Sequence, residues 1–152
     1  MDSGKKNDTK TMMTFGNTQG LEGLQNVQSI IGRKQSVGVR GKLLCGNQPI
    51  SNATVKLWDN DLFDPDDLMA EAQTKPDGSF QVAGLTVSTT SIDPQIRIYH
   101  NCRNKKSGCK RRVTFNIPDN YISSGNQVTK WFEFGALNME IGVKYKEDHQ
   151  CF

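Results

Sequence analysis

A short segment bounded by two cysteines most constrains how this chain can fold. Cys102-Arg-Asn-Lys-Lys-Ser-Gly-Cys109 joins two stretches, residues 95–100 and 113–117, in which apolar and polar residues alternate. Alternation with a period of two is typical of a half-buried strand. The sequence therefore predicts a β-hairpin whose tip is closed by a disulfide between Cys102 and Cys109.

Positive charge is concentrated at this predicted tip, in a run that we call the basic segment, Arg103 to Arg112. Six of its ten residues are basic: Arg103, Lys105, Lys106, Lys110, Arg111 and Arg112. A cationic cluster on a constrained loop favours an anionic partner, so we interpret all six as candidate anionic-ligand-binding residues. The competing interpretation is that the charges only keep a hairpin soluble and protect a sheet edge.

The overall composition favours one domain. The chain has 152 residues, of which 35% are apolar and 23% charged, enough for one core of ordinary size. Its formal net charge is only +3, so we expect no nucleic-acid partner, and only local clusters indicate partners. Residues 1–31 hold little that could be buried and are predicted to be a flexible leader or tail. Residues 32–152 are predicted to form the domain.

Four cysteines suggest an oxidised framework and hence a secreted, extracellular protein. Three pairings are possible in principle. The short spacing favours Cys102 with Cys109, and the positions of Cys45 and Cys151 at the two ends of the folded region favour the second pair. A zinc site competes, because His100 and His149 lie close to cysteines, but the Cys-x-x-Cys spacing of structural zinc sites is missing. We predict no metal and no cofactor.

The N-terminus does not itself support export. Residues 1–20 contain no apolar run that could serve as the core of a signal peptide, and no stretch is apolar enough to be a transmembrane segment. We favour the interpretation that the native signal has been removed and that another leader stands in its place. The alternative is that the protein is not exported in the ordinary way.

Short strands separated by turn signals follow from Ser36 onward. Beside the predicted hairpin, the alternation predicts strands at residues 37–45, 53–59, 69–74, from Phe80 onward, and at 132–145. Lys75-Pro-Asp-Gly78 has Pro and Gly where a tight turn needs them. Because no segment reads as a convincing helix, the pattern predicts an all-β fold, an antiparallel β-sandwich of about seven strands.

Several separate motifs resemble one known family. They are Gly32-Arg-Lys-Gln-Ser-Val-Gly-Val-Arg-Gly41, Asp64-Pro-Asp-Asp-Leu-Met-Ala-Glu71, Ile92-Asp-Pro94, Ile98-Tyr-His-Asn-Cys102 and the terminal Cys151. Together they look like the nematode transthyretin-like family of secreted proteins. The resemblance implies a transthyretin-like sandwich of seven or eight strands, an extracellular location and two disulfides. It does not imply transport of thyroid hormone.

The resemblance also raises an enzymatic hypothesis, which the residues disfavour. A related branch of the fold hydrolyses 5-hydroxyisourate with a His and Arg set and a C-terminal Tyr-Arg-Gly-Ser. This chain ends His149-Gln-Cys-Phe152, and His100 and His149 are its only histidines. His100 shares the parity of Ile96 and Ile98, which predicts a structural histidine facing the core. We therefore predict no catalytic residues and no enzyme.

Two further features could carry function. Five carboxylates lie within Asp59-Asn-Asp-Leu-Phe-Asp-Pro-Asp-Asp67, but the run lacks the Gly and the closing Glu of an EF-hand, so a solvated loop is favoured over a calcium site or an acidic docking surface. Asn52-Ala-Thr54 is an acceptor triplet for N-glycosylation.

These observations favour a secreted binding or adaptor protein. The basic segment would engage anionic lipid, such as phosphatidylserine, or a sulfated glycan, and another face would meet a cell-surface protein receptor. The alternative is a carrier of a small apolar ligand, which the transthyretin resemblance suggests and which would need an oligomeric channel. The sequence leaves the oligomeric state and the natural ligand open.

Overall fold

The computed structural model of the protein describes residues 32–61, 65–141 and 147–152. These residues form a 3₁₀ turn at Asp119–Tyr121 and ten strands: β1 (Arg33–Cys45), β2 (Gln48–Pro49), β3 (Thr54–Asp59), β4 (Asp67–Gln73), β5 (Ser79–Ser88), β6 (Pro94–His100), β7 (Cys109–Asn116), β8 (Ser123–Ser124), β9 (Phe132–Asn138) and β10 (Glu147–Cys151). Eight of the described strands have five residues or more, which confirms the predicted all-β fold. The predicted leader, residues 1–31, lies outside the described residues.

The first sheet is organised around β1, the longest described strand. β1 pairs antiparallel with β5 and with the short strands β2 and β8, and it pairs parallel with β9. Its inward side chains include Val37, Val39 and Leu43, which are fully buried. On the outer face, Gly38 lies directly beneath Trp131, where a Cβ would stand 2.7 Å from the ring. Glycine is therefore required for Trp131 to cover this sheet.

The second sheet has the strand order β10-β7-β6-β3-β4, with every pair antiparallel. β6 and β7 form the predicted hairpin, in which His100 stands opposite Arg111. In β3, buried and half-buried residues alternate strictly, as the sequence pattern predicts. The inward residues of both sheets form the core between them, including Val55, Leu57 and Ile98.

The turn at residues 75–78 has the predicted form. The Gly78 N–H donates to the Lys75 carbonyl at 2.8 Å, and the Lys75 N–H donates to the Ser79 carbonyl at 2.9 Å. Gly78 has φ +86° and Asp77 accepts a hydrogen bond from the Ser79 N–H. A positive φ favours glycine, so Pro-Asp-Gly specifies this turn locally.

The prediction of one continuous strand over residues 132–145 is wrong. β9 ends at Asn138, whose Oδ1 accepts hydrogen bonds from the Gly46 and Glu140 N–H groups. Ile141 is 71% exposed, although it continues the alternation. After residues 142–146, which lie outside the described ranges, β10 pairs with β7 in the other sheet. Alternation alone does not reveal that the chain changes sheets, because strands of both sheets share the same period.

Candidate functional site

The loop between β6 and β7, residues 101–108, is the candidate binding feature and is called the basic loop. The Asn104 N–H donates to the Asn101 carbonyl at 3.1 Å, and the Asn104 side-chain amide donates to the Cys109 carbonyl at 2.5 Å. Gly108 has φ +78° and Arg103 has φ 53°. Local hydrogen bonds and two left-handed residues therefore shape this loop.

The two disulfides differ from the predicted pairs. Cys45 is bonded to Cys102, and Cys109 is bonded to Cys151, with Cα–Cα distances of 5.6 and 3.8 Å. The predicted Cys102–Cys109 and Cys45–Cys151 bridges are thus incorrect. All four sulfurs are used, so the competing zinc interpretation has no thiolate ligands.

Tertiary position explains the observed pairing. Cys109 and Cys151 stand directly opposite each other on β7 and β10, where side chains of neighbouring strands come close together. Cys102 is buried in the core, and Cys45 ends β1 in the facing sheet. One bridge therefore joins the two sheets and the other joins two neighbouring strands, so the basic loop is anchored at both ends.

Arg111 is a buried structural residue. Its Nε and Nη2 donate to the two carboxylate oxygens of Glu147 at 2.5 and 2.9 Å. Its Nη1 donates to the carbonyls of Cys102 and Met139 at 2.7 and 2.9 Å. Only 8% of Arg111 is exposed. The prediction that Arg111 belongs to an exposed cationic tip is therefore corrected: its guanidinium links the hairpin, β10 and the end of β9.

The other two arginines also have anionic partners. Arg112, on the outer face of β7, donates to Asp148 at 2.8 and 2.5 Å and to Gln150 at 2.9 Å. The hydrogen bond from Arg112 lowers the pKa of the Asp148 carboxyl. Arg103 donates from Nε to Glu140 at 2.9 Å and forms an ion pair with it. Much of the positive charge counted in the sequence is therefore balanced by nearby carboxylates.

The three lysines of the basic segment form no ion pair with another described residue. Lys105 and Lys106 are exposed and Lys110 is half-buried. They surround an open concavity of about 500 Å³, whose lining residues are Asn101, Asn104, Lys105, Lys106, Ser107, Gly108, Cys109, Lys110 and Phe152. Phe152 lines this concavity and is 85% exposed. Its N–H donates to the Gly108 carbonyl at 3.0 Å, which holds it beside the basic loop.

His100 faces the core, as its parity predicts. It is 2% exposed, and its Nδ1 accepts a hydrogen bond from the Cys102 N–H at 3.1 Å. Burial, followed by the charge of Arg111, lowers the pKa of His100 to about 4. His100 is therefore neutral at physiological pH. His149 lies opposite Arg111 on β10 and is exposed.

The acidic run is partly structural. Asp59 is fully buried and accepts a hydrogen bond from the Asp93 N–H at 2.9 Å. Asp66 accepts from the Asp61 N–H at 2.9 Å and pairs with Arg97 at 2.5 Å. Residues 62–64 lie outside the described ranges. Across the described ranges, no cluster of His, Cys, Asp or Glu has the arrangement needed to hold a metal ion.

Asn52 lies in the exposed turn before β3. It has φ 61°, and its backbone N–H donates to the Thr74 carbonyl at 3.0 Å. Its side chain is exposed. N-glycosylation at Asn52 remains a prediction.

A second concavity, of about 500 Å³, opens on the outer face of the second sheet and was missed from the sequence. It is lined by Thr54, Lys56, Trp58, Glu71, Arg97, Tyr99, Lys110, Arg112, Gln150 and Phe152. The outward parity of Lys56 and Trp58 in β3 was visible in the sequence. Their proximity to Lys110 depends on the order of β3, β6 and β7, which no local pattern reports.

Within the part of the chain that the structure describes, no helix has the length and hydropathy needed to cross a bilayer.

Comparison with known proteins places the chain in the family suggested by its motifs. The family model described as the transthyretin-like family matches residues 40–118. Transthyretin-like protein 33 of Caenorhabditis elegans is 46% identical over 118 residues, which cover 77% of this chain and 82% of the relative. Transthyretin-like protein 5 is 41% identical over 112 residues, 73% of this chain and 81% of the relative. Transthyretin-like protein 46 is 44% identical over 120 residues, 78% and 66% of the two chains.

These matches and the observed sandwich of two mainly antiparallel sheets agree. Both confirm the resemblance and the fold that it implies. The chain belongs to the transthyretin-like family.

Proposed function

We propose that this chain is a secreted, extracellular binding protein whose basic loop, together with Lys110 at the start of β7, contacts the anionic headgroups of a phospholipid surface. Lys105, Lys106 and Lys110 are the binding residues in this proposal. Phe152 is the apolar contact beside them. Arg103 and Arg112 remain at the margin of the site, each paired with a carboxylate, and Arg111 supports it from the core.

The observation that carries this proposal is the environment of the three lysines. They lie around one open concavity and have no ion pair with another described residue, whereas all three arginines of the basic segment do. A lysine ammonium without a carboxylate partner keeps its full charge available to a ligand. The two disulfides at Cys102 and Cys109 anchor the loop, which reduces the conformational entropy lost on binding.

The expected affinity suits a reversible contact. Each lysine near an anionic membrane surface contributes about 1 kcal/mol. Burying a phenylalanine side chain such as that of Phe152 contributes about 2 kcal/mol. The sum of about 5 kcal/mol corresponds to a dissociation constant below about 1 mM. Tighter binding would require several copies on one surface or a further contact.

An extracellular location is supported by the redox state of the cysteines. All four cysteines are in disulfides, and such bonds persist mainly in oxidising compartments. Asn52 offers a check on export, because it begins an acceptor triplet and its side chain is exposed. Expression in a secreting eukaryotic host, followed by glycosidase treatment and intact mass measurement, should show one glycan at Asn52. In an Asn52→Gln variant, the peptide that contains this position should not change mass on treatment, whether or not the other acceptor triplet, Asn7-Asp-Thr9, is occupied.

A binding role is favoured over hydrolysis and over transport of an apolar ligand. His100 is buried with a lowered pKa and is engaged with the Cys102 N–H, which suits a structural group better than a general base. Lysine side chains lie at both concavities, at the basic loop and on the second sheet. Their charge favours anionic over neutral apolar ligands.

Vesicle sedimentation tests the lipid proposal. The protein should sediment with vesicles that contain phosphatidylserine and stay in solution with vesicles of phosphatidylcholine alone. The triple variant Lys105→Gln, Lys106→Gln, Lys110→Gln should lose this binding. Raising salt from low to physiological should weaken binding of the unmodified protein, because the Debye length shrinks to about 8 Å.

A control variant with the same net charge distinguishes the effect of where the lysines lie from the effect of total charge. Lys34, Lys42 and Lys75 are exposed at other places in the fold, so changing these three to Gln removes the same charge. This control should bind vesicles like the unmodified protein. Equal loss in both triple variants would show that only net charge matters, and unchanged binding in the loop variant would overturn the proposal.

A further inference from the structure

The outer face of the second sheet carries a polar groove with its own arrangement of cations. The groove is the second concavity described above, and β3, β6, β7 and β10 contribute most of its floor. Lys56 places its Nζ 5.1 Å from the centre of the Tyr99 ring, and Arg97 stacks 4.7 Å from the Trp58 ring. Aromatic faces thus support two of its cations in fixed positions.

The cations of the groove differ in how far they are neutralised. Arg97 is paired with Asp66 at 2.5 Å and Arg112 with Asp148 at 2.5 Å. Lys56 and Lys110 have no ion pair with another described residue. Glu71, on the edge strand β4, stands opposite Lys56 in register and is the carboxylate that lines this groove. Among the described residues of the groove, Lys56 and Lys110 are therefore the cations without an ion pair.

Strand geometry separates these two lysines. Lys56 is in register with Arg97, and Arg97 with Thr114, so Lys110 lies two strands away and four residues along β7. With about 3.3 Å per residue and about 4.8 Å between strands, their Cα atoms are about 16 Å apart. The Lys56 Nζ lies over the Tyr99 ring, and Tyr99 is in register with Arg112, two residues from Lys110 on β7. The two lysines therefore enter the groove from separate strands, and a ligand with at least two anionic groups on an extended body can contact each of them.

The space between the two lysines is polar. The hydroxyls of Thr54 and Tyr99 and the side-chain amide of Gln150 line it, and these groups both donate and accept hydrogen bonds. They match a ligand body rich in hydroxyl groups. A flat bilayer is a poor match, because the groove is concave and lies on the broad face of a sheet, whereas the basic loop is an exposed connection at the end of a hairpin.

We propose that this groove binds a sulfated oligosaccharide. Lys56 and Lys110 would each receive a sulfate, and Thr54, Tyr99 and Gln150 would receive the sugar hydroxyls between them. The site is distinct from the lipid contact of the basic loop, although Lys110 and Phe152 border both concavities. The proposal does not depend on membrane binding.

Calorimetric titration with a heparin-derived hexasaccharide tests the proposal. The unmodified protein should bind the sulfated hexasaccharide, and a desulfated hexasaccharide of the same length should not bind measurably. Lys56→Gln should weaken binding about tenfold, because it removes one charge-assisted hydrogen bond. Lys34→Gln, which removes the same charge from the first sheet, should change the affinity by less than about twofold.

A fluorescent reporter locates the bound sugar. The chain has two tryptophans; Trp58 lines the groove and Trp131 lies on the opposite sheet. In a Trp131→Phe background, the sulfated hexasaccharide should change the emission of Trp58. Binding by calorimetry without any change in Trp58 emission would place the sugar elsewhere and overturn the proposal.

Two further variants keep the result interpretable. Lys56→Arg retains the charge and should bind within about threefold of the unmodified protein; an equal loss in both Lys56 variants would indicate a structural effect and overturn the proposal. Lys105→Gln with Lys106→Gln should retain hexasaccharide binding but weaken binding to phosphatidylserine vesicles, and Lys56→Gln should do the reverse. Failure of the unmodified protein to bind phosphatidylserine vesicles, with hexasaccharide binding intact, would thus count against the lipid proposal for the loop and not against the groove.

Discussion

The arginines and the lysines of the basic segment occupy different environments. Arg103, Arg111 and Arg112 each form an ion pair with a carboxylate, on Glu140, Glu147 and Asp148 respectively. Lys105, Lys106 and Lys110 surround an open concavity with no ion pair to another described residue. The planar guanidinium can bond a carboxylate with two parallel N–H groups, whereas an ammonium is a compact, strongly hydrated charge. Among the described residues, the arginines of this segment are therefore paired with carboxylates and the lysines are not.

The basic segment presents less positive charge than its sequence suggests. Six cations within ten residues suggest a strongly basic tip, yet three of the charges are paired with carboxylates, one pair buried and two at the surface. The three lysines are the cations of the segment that form no ion pair with another described residue. A count of basic residues in sequence overestimates a binding surface wherever carboxylates from other strands reach the same place.

The largest effect should follow from removing the buried arginine. Arg111→Met should lower the free energy of unfolding by about 3–5 kcal/mol, because it breaks a buried ion pair and removes the donor to two buried carbonyls. Urea denaturation followed by tryptophan fluorescence measures this. Arg103→Met is the matched control, and we expect it to cost less than about 1 kcal/mol, since that pair is exposed. Equal costs would remove the distinction between buried and exposed arginines.

Removing either disulfide should lower the free energy of unfolding almost as much as Arg111→Met does. The two disulfides should contribute about equally. Their sequence separations are 57 and 42, and the chain-entropy model assigns about 4 kcal/mol to loops of either length. Replacing Cys45 and Cys102, or Cys109 and Cys151, with Ser should each lower stability by about this amount. A peptide map of the unreduced protein should first show the two observed pairs. A peptide that joins Cys102 to Cys109 would contradict the structure.

The Cys109–Cys151 bridge should increase the contribution of Arg112 to stability. It holds β10, which carries the carboxylate partner of Arg112. In a Cys109→Ser, Cys151→Ser background, Arg112→Met should therefore cost less than in the unmodified protein. A double-mutant cycle should give a coupling energy of about 0.5 kcal/mol or more. Simple additivity would mean that β10 keeps its place without the bridge.

Acid should destabilise the fold through His100, which lies beside Arg111. The pKa of His100 is lowered from 6.5 to about 4, so the unfolded state takes up a proton before the folded state does. The stabilisation that neutral His100 contributes is fully present above about pH 6.5 and is lost as the pH falls to about 4. Over this range the free energy of unfolding should fall by about 3 kcal/mol. His100→Gln should flatten the stability profile in this window.

The smallest effect on stability should come from the lysines. Changing Lys105, Lys106 and Lys110 to Gln should alter the free energy of unfolding by no more than about 0.5 kcal/mol, because surface charges without partners contribute little. Thermal unfolding of this variant and of the Lys34, Lys42, Lys75 control should give similar midpoints. A large drop in the loop variant alone would mean that these lysines support the fold, and the contrast with the arginines would disappear.

Local patterns predicted much of the fold. Alternation identified β3, the β6–β7 hairpin and the inward direction of His100, because the side-chain period of a strand is a local property. Pro76-Asp77-Gly78 specified its turn for the same reason. The disulfide pairs were predicted wrongly, because closeness along the chain was taken as closeness in space. Cys109 meets Cys151 only through the pairing of β10 with β7.

The amino-acid sequence by itself determined most of the strands, one hairpin, the cation-rich segment and the family. Only the tertiary structure decided where β9 ends, which of the described cations are paired, which cysteines meet, and that Lys56 and Lys110 border one groove. The physical reason is the separation along the chain over which each kind of interaction acts. Strand periodicity and turn geometry act between residues close in the chain, whereas ion pairs, disulfides and grooves join residues brought together by sheet order. That order follows from burial of the whole core, to which every strand contributes and which no single segment encodes.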